Sequence, residues 1–488
     1  MSDANRVRLT HVREVTLGTT PNTPRMRKAR MTGETLRFAP AFVSSQELRD
    51  DRMNADPIKV DEMNDGPVNG ELSFPVDKSP FSDWLESLFC NTWSNTPFRD
   101  NDGTADSVIT NVATSGTQVT HLTGDAFVAG QLVRFAGFGV SGNNGVFKCT
   151  TGGTTTSAYA GSGITDEAAP PAAARMKVVG FQGASGDITA SSNGLASTLL
   201  DFTTLGLKVG QWVKIGGTAA GDKFATAALN SWARIIAIAA NALTFDNLPA
   251  GWATDSGTSK TIKVFIGDTL KNGVATISQT LERGFLDQSV PTYIAQQGMV
   301  VDQGVFNFAT KQIAKWTMTF GGMTGSEGAT TLDASPDDAT TNAIMAAAVN
   351  VGRIAENGTT IGGPNFIESV DITIKNNLRM IGGIRSDGRV GAEDIGKGSV
   401  DAIVQMSTFF GSDTLLAKLF SGVATNINIR IAKNAQAMVW ALPRLTYTQG
   451  QTNATAKNTD TKLPLTSEAS YDSLTNSHVL LDRLEYYE

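Results

Sequence analysis

The chain has 488 residues, of which 49 are glycine and 7% are aromatic, and its formal net charge is −7 at pH 7. One hydrophobic core rarely serves more than about 250–300 residues, so we expect two or three domains, and the abundant Gly, Thr and Ser favour a mainly β protein over a helical bundle. The acidic balance argues against a protein that grips nucleic acid through its phosphates.

The first 30 residues are basic. They contain seven Lys or Arg and two Asp or Glu side chains, so residues 1–30 carry a net charge of +5 and the remainder of the chain −12. The segment has no apolar stretch of the kind that a signal peptide carries. We predict that residues 1–30 form a basic N-terminal arm ahead of the folded chain.

The next segment, residues 31–104, contains a strand followed by a helix. In VNGELSFP, which begins at Val68, apolar and polar residues alternate with the period of a half-buried strand. In SPFSDWLESLF, which begins at Ser79, the apolar residues have helical spacing behind a Ser-Pro start. We assign this segment to the first part of a main domain.

A charge-poor stretch rich in Thr, Gly, Ser and Ala follows and indicates an insertion. Within it, FVAGQLVRFAGF at Phe127 returns as LKVGQWVKIGGT at Leu207, each followed by Gly- and Asn-rich turns and further strands. A short repeat of this kind is typical of tandem structural units. We predict two small β modules, residues 105–186 and 187–268.

Residues 269–488 contain the longest alternating stretches of the chain. They are KWTMTFGG at Lys315, SVDITIKN at Ser369 and NINIRIAK at Asn426. We expect these strands to pair with residues 31–104 in one sandwich or barrel that the insertion interrupts.

Two helices are predicted in the same segment. The stretch VDAIVQMSTFFGSDTLLAKLF, from Val400 to Phe420, repeats the strand-then-helix pattern of residues 68–89, which indicates one scaffold element used twice. The other helix is predicted after Ser335, with Asp337 or Asp338 as its N-cap.

The sequence predicts no catalytic, cofactor or metal site. The three histidines are far apart with no Ser or Cys motif beside them, and the two cysteines lie in different predicted domains. GFGVSG at Gly137 fits G-x-G-x-x-G, but a strand follows it where a dinucleotide site needs a helix. Adjacent carboxylates are ordinarily caps or solvated charges, so a polysaccharide-cleaving enzyme is the weakest hypothesis.

An ordered series of strings resembles the major tail tube proteins of long-tailed, siphophage-type bacteriophages. The strings are TGETLRF, SSQELRDDRMNAD, VNGELSFP, FSDWLESLF, LERGFLDQSVPTYIAQQGMVVDQGVFNFA, WTMTFGGMTG, SVDITIKNNLRM, EDIGKGSVDAIVQMSTFFGSDTLLAKLF and MVWALPRLTYTQG. Together they cover most of residues 31–100 and 278–450. The predicted insertion lies outside the resemblance, and residues 325–363 are longer than such proteins usually need.

The resemblance implies a structural virion protein without enzymatic activity or cofactor. Its expected fold is a tail-tube β-sandwich or barrel with a flanking α-helix, whose copies close into homohexameric rings that stack into a conduit for DNA ejection. The implied partners are further copies of the chain, the tape-measure protein, the tail terminator and the distal tail or baseplate proteins. DNA passes only transiently, no membrane is entered, and assembly takes place in the bacterial host cytoplasm before the protein forms part of the virion tail.

Two sets of candidate residues follow from this resemblance. We expect an inter-ring contact between a basic and an acidic group, formed by Arg25, Arg27, Lys28, Arg30, Glu47, Asp50 and Asp51. Basic walls would hold DNA, so an acidic or neutral channel wall is expected. The acids assigned to that wall are Glu282, Asp287, Glu393 and Asp394.

The alternative class is a carbohydrate- or cell-surface-binding β protein that uses the inserted modules. Exposed aromatic rings on those modules could stack on sugars, although aromatic residues at strand spacing are more often part of a core. In a tube, the modules are expected on the outside, where they stiffen it or bind surface glycans.

Overall fold

A computed structural model describes residues 3–103, 108–113, 117–161, 163–384, 390–453 and 456–488. Within these residues the regular structure is mainly antiparallel β-strand, arranged in an 18-stranded, a 13-stranded and a two-stranded sheet, with three α-helices. The mainly β fold class is confirmed.

The part of the chain before the insertion contributes six strands and one helix. These elements are β1 (Val7–Arg13), β2 (Arg27–Lys28), β3 (Gly33–Glu34), β4 (Arg37–Val43), β5 (Ile58–Glu71), α1 (Pro80–Phe89) and β6 (Phe98–Asp100). Helix α1 begins as predicted, because the Ser79 hydroxyl accepts a hydrogen bond from the Ser82 N–H and Pro80 occupies the first turn.

The 13-stranded sheet consists of β6 and the strands of the insertion. The latter are β7 (Ile109–Ala113), β8 (Gln118–His121), β9 (Gln131–Ala136), β10 (Gly145–Thr151), β11 (Thr156–Ala160), β12 (Arg175–Gln182), β13 (Thr189–Ser191), β14 (Gly194–Ala196), β15 (Trp212–Ile215), β16 (Trp232–Ala239), β17 (Ala242–Asp246) and β18 (Lys263–Phe265). The order β7-β8-β11-β10-β9-β12 continues as β18-β15-β16-β17-β14-β13, so one six-strand arrangement occurs twice about the β12–β18 pair.

Amide side chains hold the same turns in both halves of this sheet. Gln131 and Gln211 each accept a hydrogen bond from the N–H three residues earlier, at 2.8 and 3.1 Å. Asn144 and Asn230 each bond both the N–H and the C=O of the residue six positions earlier. The repeat is therefore built into side chains as well as strand order. The predicted boundary at residues 104–105 lies outside the described residues, and the module limits stay a prediction.

The segment after the insertion completes the 18-stranded sheet. Its elements are β19 (Asp268–Lys271), β20 (Gln279–Phe285), β21 (Thr292–Ala309), β22 (Lys315–Gly321), β23 (Thr324–Gly328), α2 (Ala347–Asn350), β24 (Val351–Glu356), β25 (Thr359–Thr360), β26 (Ile367–Lys375), β27 (Arg379–Gly382), β28 (Ala392–Gly396), β29 (Asp401–Phe409), α3 (Thr414–Ser421), β30 (Thr425–Lys433), β31 (Gln436–Gly450), β32 (Lys462–Ala469) and β33 (Leu480–Leu484).

The N-terminal segment is not a free arm. Strand β1 pairs along the whole of β20, and His11 on β1 is buried. The Trp84 indole N–H donates to Nδ1 of His11, which leaves Nε2 to donate to the Asp83 carboxylate at 2.8 Å. The arm expectation is therefore wrong for residues 7–13, because their backbone finds a partner strand far along the chain.

The helix predicted after Ser335 starts later and is short. Only Ala347–Asn350 is helical, whereas the Asp337 N–H donates to the Met26 carbonyl at 2.8 Å in an extended bridge to the N-terminal segment. This tertiary backbone pairing overrides the local helix signal.

The strand-then-helix pattern belongs to a larger repeated unit. The first unit has the strand order β1-β20-β21-β22-β5-β4, with α1 following β5. The second unit has the order β24-β30-β31-β32-β29-β26, with α3 following β29. The repeat of one scaffold element is confirmed, within a wider duplication of the sheet.

The two units pack around one shared hydrophobic core. Strands β4-β5-β22-β21-β26-β29-β32-β31 form a continuous stretch that we call the eight-strand sheet. Its Val68, Phe306 and Ile372 side chains belong to the core that also contains Trp440 of β31, whereas the neighbouring Val439 packs against the insertion. The insertion therefore lies on the far side of the core from the eight-strand sheet.

A buried ionic cluster joins the insertion to the rest of the fold. Its members are Asp77, Arg175, Lys177, Asp268, Arg483 and Glu485. The Lys177 ammonium lies 2.6 Å from the Asp268 carboxylate, and the Arg483 Nε lies 2.8 Å from the same group. Three cations meet three carboxylates, so the cluster is electrically balanced.

Asp482 is a further buried carboxyl group at this interface. Its oxygens accept hydrogen bonds from the backbone N–H of Trp212 at 2.8 Å and from the Thr269 hydroxyl at 2.6 Å. Burial nevertheless raises the pKa of Asp482 to about 7. The folded state then binds the proton more tightly than the unfolded state, so this group's contribution to stability is greatest below about pH 4 and falls as the pH rises towards 7.

Replacing Asp482 with asparagine should raise the free energy of unfolding by about 1–3 kcal/mol at pH 8, because an amide avoids the buried charge. The variant should also lose this group's pH dependence between about pH 4 and 7. Urea unfolding at pH 5.5 and pH 8 measures both effects, with Asp460→Asn at an exposed position as the control. An unchanged pH profile in Asp482→Asn would contradict the raised pKa.

Candidate assembly surfaces

One face of the eight-strand sheet is left uncovered by the part of the chain that the structure describes. A row of paired residues crosses seven strands of that face: Asn69, Thr317, Val305, Thr373, Ile403, Glu468 and Thr446. Each is half-buried or exposed, and the residue before each is buried. This strict alternation shows a sheet with one face on a core and the other face open.

The uncovered face is polar, with charges of both signs. Its acids are Asp61, Asp65, Glu71, Glu368, Asp371, Asp401 and Glu468, and its bases are Arg37, Lys315, Lys375, Arg444 and Lys462. Some of them are already paired across strands, as where Arg37 Nε donates to Asp65 at 3.0 Å. Threonine, asparagine and glutamine occupy much of the space between. Seven acids against five bases leave the face with a small net negative charge.

The four acids assigned to the channel wall from the sequence lie elsewhere. Glu282 is buried, and its carboxylate accepts from the Thr331 hydroxyl at 2.7 Å and the Leu332 N–H at 2.6 Å. Glu282 is thus an internal anchor for residues 331–332, and we no longer place it on a wall. Asp287 lies in the exposed turn after β20, and Glu393 and Asp394 lie in β28. None of the four belongs to the eight-strand sheet, whose acids were not singled out because sequence alone does not show which strands are neighbours.

The basic residues predicted at the inter-ring contact are bound within their own chain. Arg25 and Arg27 approach Asp337 at 2.8 and 3.6 Å, and Lys28 approaches Asp338 at 2.7 Å. Arg30 donates to the Asn342 carbonyl at 2.6 Å.

The acidic residues predicted at the same contact lie apart from the basic ones. Glu47, Asp50 and Asp51 are exposed in the loop between β4 and β5, where Asp51 pairs with Arg49. Among the described residues, none of these ion pairs joins a predicted basic contact residue to a predicted acidic one.

The hairpin of β4 and β5 carries an exposed apolar surface that the sequence did not indicate. Its apolar residues are Phe42, Val43, Leu48, Met53, Ile58 and Val60, all at least 50% exposed. The sequence pointed only to the acids of this segment as contact residues. Contiguous exposed apolar residues at the end of a hairpin instead indicate a contact surface.

The eight-strand sheet has two edges without a strand partner among the described residues. At one end, β4 pairs only with β5. At the other end, residues 446–450 of β31 pair only with β32, because β30 accompanies β31 no further than Leu445. Open edges are templates for pairing with another chain.

The remaining candidate groups have structural surroundings. Cys90 and Cys149 are buried free thiols, and burial raises the pKa of Cys149 to about 11, which disfavours the thiolate. Among the described residues, no three His, Cys, Asp or Glu side chains group as metal ligands, and no helix is long and apolar enough to cross a membrane.

Open sheet edges and an exposed apolar hairpin are the features expected of a structural protein that assembles with other chains. The chain belongs to the phage tail tube protein family, whose model matches residues 4–227 and 210–469. The family resemblance inferred from the sequence is confirmed, and the protein is a structural component of the phage tail. No curated protein matches the chain.

Proposed function

We propose that this chain is the major tail tube subunit, whose copies close side by side into rings that stack into the conduit for the phage genome. The observation that carries the proposal is the eight-strand sheet, which ends in two open edges and leaves one polar face uncovered. Joining such edges between copies closes a barrel and removes every open edge. The expected six-fold wall then contains six of the repeated units described above, arranged around the channel.

The uncovered face is the proposed channel wall. Its acids and bases nearly balance, and hydroxyl and amide side chains separate them. A wall rich in Lys and Arg would displace counterions from DNA and hold it, whereas a neutral polar wall lets it slide. The wall is therefore proposed to be slightly acidic, within the expected acidic or neutral range.

Ring stacking is assigned to the tip of the β4–β5 hairpin. Leu48 and Met53 provide apolar area, and Glu47, Asp50 and Asp51 surround them with negative charge. Arg25, Arg27, Lys28 and Arg30 of the next ring are the proposed counterpart, since Arg25 and Lys28 stay partly exposed beside their own partners. The charges would steer stacking, and the apolar residues would supply most of its free energy.

The other partners follow from this role. A siphophage-type tube, assembled in the host cytoplasm, holds the tape-measure protein before DNA passes, and it ends at the terminator and the distal tail or baseplate proteins. The inserted modules lie behind the core, away from the proposed wall, and so would decorate the outside of the tube and stiffen it. The alternative of a carbohydrate-binding protein gains no support, because Phe127, Phe135 and Tyr159 of the modules are buried in their core.

Negative-stain microscopy of the purified protein tests the proposal. Wild-type protein should form hollow rods, and Leu48→Ser with Met53→Ser should yield rings or short stacks, because the proposed axial contact loses its apolar side chains. The control is Leu199→Ser, a residue equally exposed on the insertion, which should leave rods intact. Wild-type protein that stays monomeric under all conditions would refute the assignment.

A further inference from the structure

The two repeated units agree in detail beyond their strand order. In the first, the β20–β21 and β21–β22 ladders shift register between Gln279 and Leu281 and between Val301 and Gln303. The second has the matching shifts between Thr425 and Ile427 in β30 and between Tyr447 and Gln449 in β31. Register shifts at matching places are features of a common design, so the two units are structurally equivalent.

The packing of the helices supports the same equivalence. Gly304 of β21 lies directly against Leu88 of α1, and Gly450 of β31 lies directly against Leu419 of α3. A Cβ at either glycine would overlap the leucine. Leu88 therefore corresponds to Leu419, and the next residues, Phe89 and Phe420, correspond as well.

Within the chain, the first unit joins the second by a complete strand pair. Residues 303–309 of β21 pair with residues 369–375 of β26, beginning with Gln303 opposite Lys375. Leu378, just beyond β26, packs against the apolar cluster that contains Val300, and Phe89 at the end of α1 is fully buried. This internal junction covers both backbone and apolar side chains.

The corresponding surfaces at the two outer ends of the chain are open. Strand β4 corresponds to β26, so that Ala39 takes the place of Lys375 and Phe42 that of Leu378. Phe42 is 57% exposed and Phe420 is 81% exposed, although their counterparts are packed in the internal junction. Each chain therefore carries one side of such a junction at one end and the complementary side at the other end.

We propose that each chain supplies two adjacent wall units, and that a ring of six units consists of three chains rather than six. The junction between chains reproduces the internal one, with residues 449–453 of one copy pairing antiparallel with residues 39–35 of the next and Gln449 opposite Ala39. This inference rests on the proposed function, because the total of six units belongs to the tube wall. The occupant of each open end is a second copy of this chain, by continuity with the internal junction.

Paired cysteines test the register and the copy number together. The variant Ala39→Cys with Gln449→Cys should form disulfides between chains in assembled tubes, since directly opposite residues lie within reach of a disulfide. On non-reducing gels the ladder should end at three chains. The matched control, Gln303→Cys with Lys375→Cys, should form a disulfide within one chain and leave the monomer band in place.

The outcomes separate this inference from the proposed function. Rods whose ladder extends to six chains, or rods in which the first variant forms no disulfide while the control does, overturn the three-chain ring but keep the tube. Absence of any rods refutes both. End-on averages of the rings provide an independent readout, because one two-module insertion per chain should give a periphery with three-fold symmetry, and six-fold symmetry would contradict the inference.

Discussion

Replacing Lys177 with methionine is expected to destabilise the folded chain by about 3–5 kcal/mol, which is typical when one partner of a buried ion pair is removed. The Lys177 side chain is 3% exposed and lies 2.8 Å from Asp77 and 2.6 Å from Asp268. Without its charge, the cluster keeps three carboxylates against two cations. Urea unfolding measures the loss, with Lys208→Met on the exposed surface of the same insertion as the control.

A charge-matched double variant checks that electrostatics cause the loss. Lys177→Met combined with Asp268→Asn restores the balance of charge and should recover part of the stability. Burial opposes the ionised form of Asp77, but Arg483, Lys177 and Arg175 together hold its pKa well below its usual range. A lowered pKa gives stability that is present above about pH 4 and lost as the pH falls further, so Lys177→Met should weaken this acid sensitivity. Equal losses in the single and the double variants would show that packing, not charge, is responsible.

Replacing Gly70 with valine is expected to cost about 3 kcal/mol or more, at the upper end for overpacking a core. Gly70 lies opposite Trp316 in the β5–β22 pair, and a Cβ there would overlap the indole ring. That ring cannot move freely, because it stacks on Phe81 at 5.1 Å and meets Trp84 edge-on at 5.8 Å. The midpoint temperature of thermal unfolding and the yield of rods should both fall.

The neighbouring residue provides the control for this substitution. Asn69 lies on the uncovered face of the same strand, where its side chain accepts a 2.7 Å hydrogen bond from Thr317. Asn69→Val should therefore cost only about 1 kcal/mol, the usual worth of one such bond. If Asn69→Val proved as damaging as Gly70→Val, the assignment of the two faces would be wrong.

The sequence predicted those parts of the fold that depend on local signals. The Ser79-Pro80 start of α1, the alternation from Val68 and the second copy of the pattern at Val400 are all readable from neighbouring residues. The features it missed depend on distant partners. Strand β1 has a weak pattern of its own and is fixed by β20, and the extended stretch after Ser335 is fixed by Met26.

The candidate surfaces were harder to predict than the fold for the same reason. Glu282 follows a strand-like stretch, but only the structure shows that residues 331–332 fold over it. The charges at the hairpin tip are visible in the sequence. The role of the exposed Phe42, in contrast, follows only from the packing of its structural counterpart, Leu378. The sequence shows the duplication only in the two strand-then-helix stretches that begin at Val68 and Val400, because the other strands of the two units have equivalent positions without similar sequences.

Because β5 and β22 are far apart in the sequence, these two paired strands are synthesised at different times. The ribosome completes Glu71 long before Lys315, a delay on the order of 10–50 s at about 5–20 residues per second. Residues 446–450, which form the other lateral edge, emerge later still. In the proposed tube, a nascent chain therefore exposes β4 before its own residues 449–453 exist, so a closed ring requires chains that have been synthesised at least to that point.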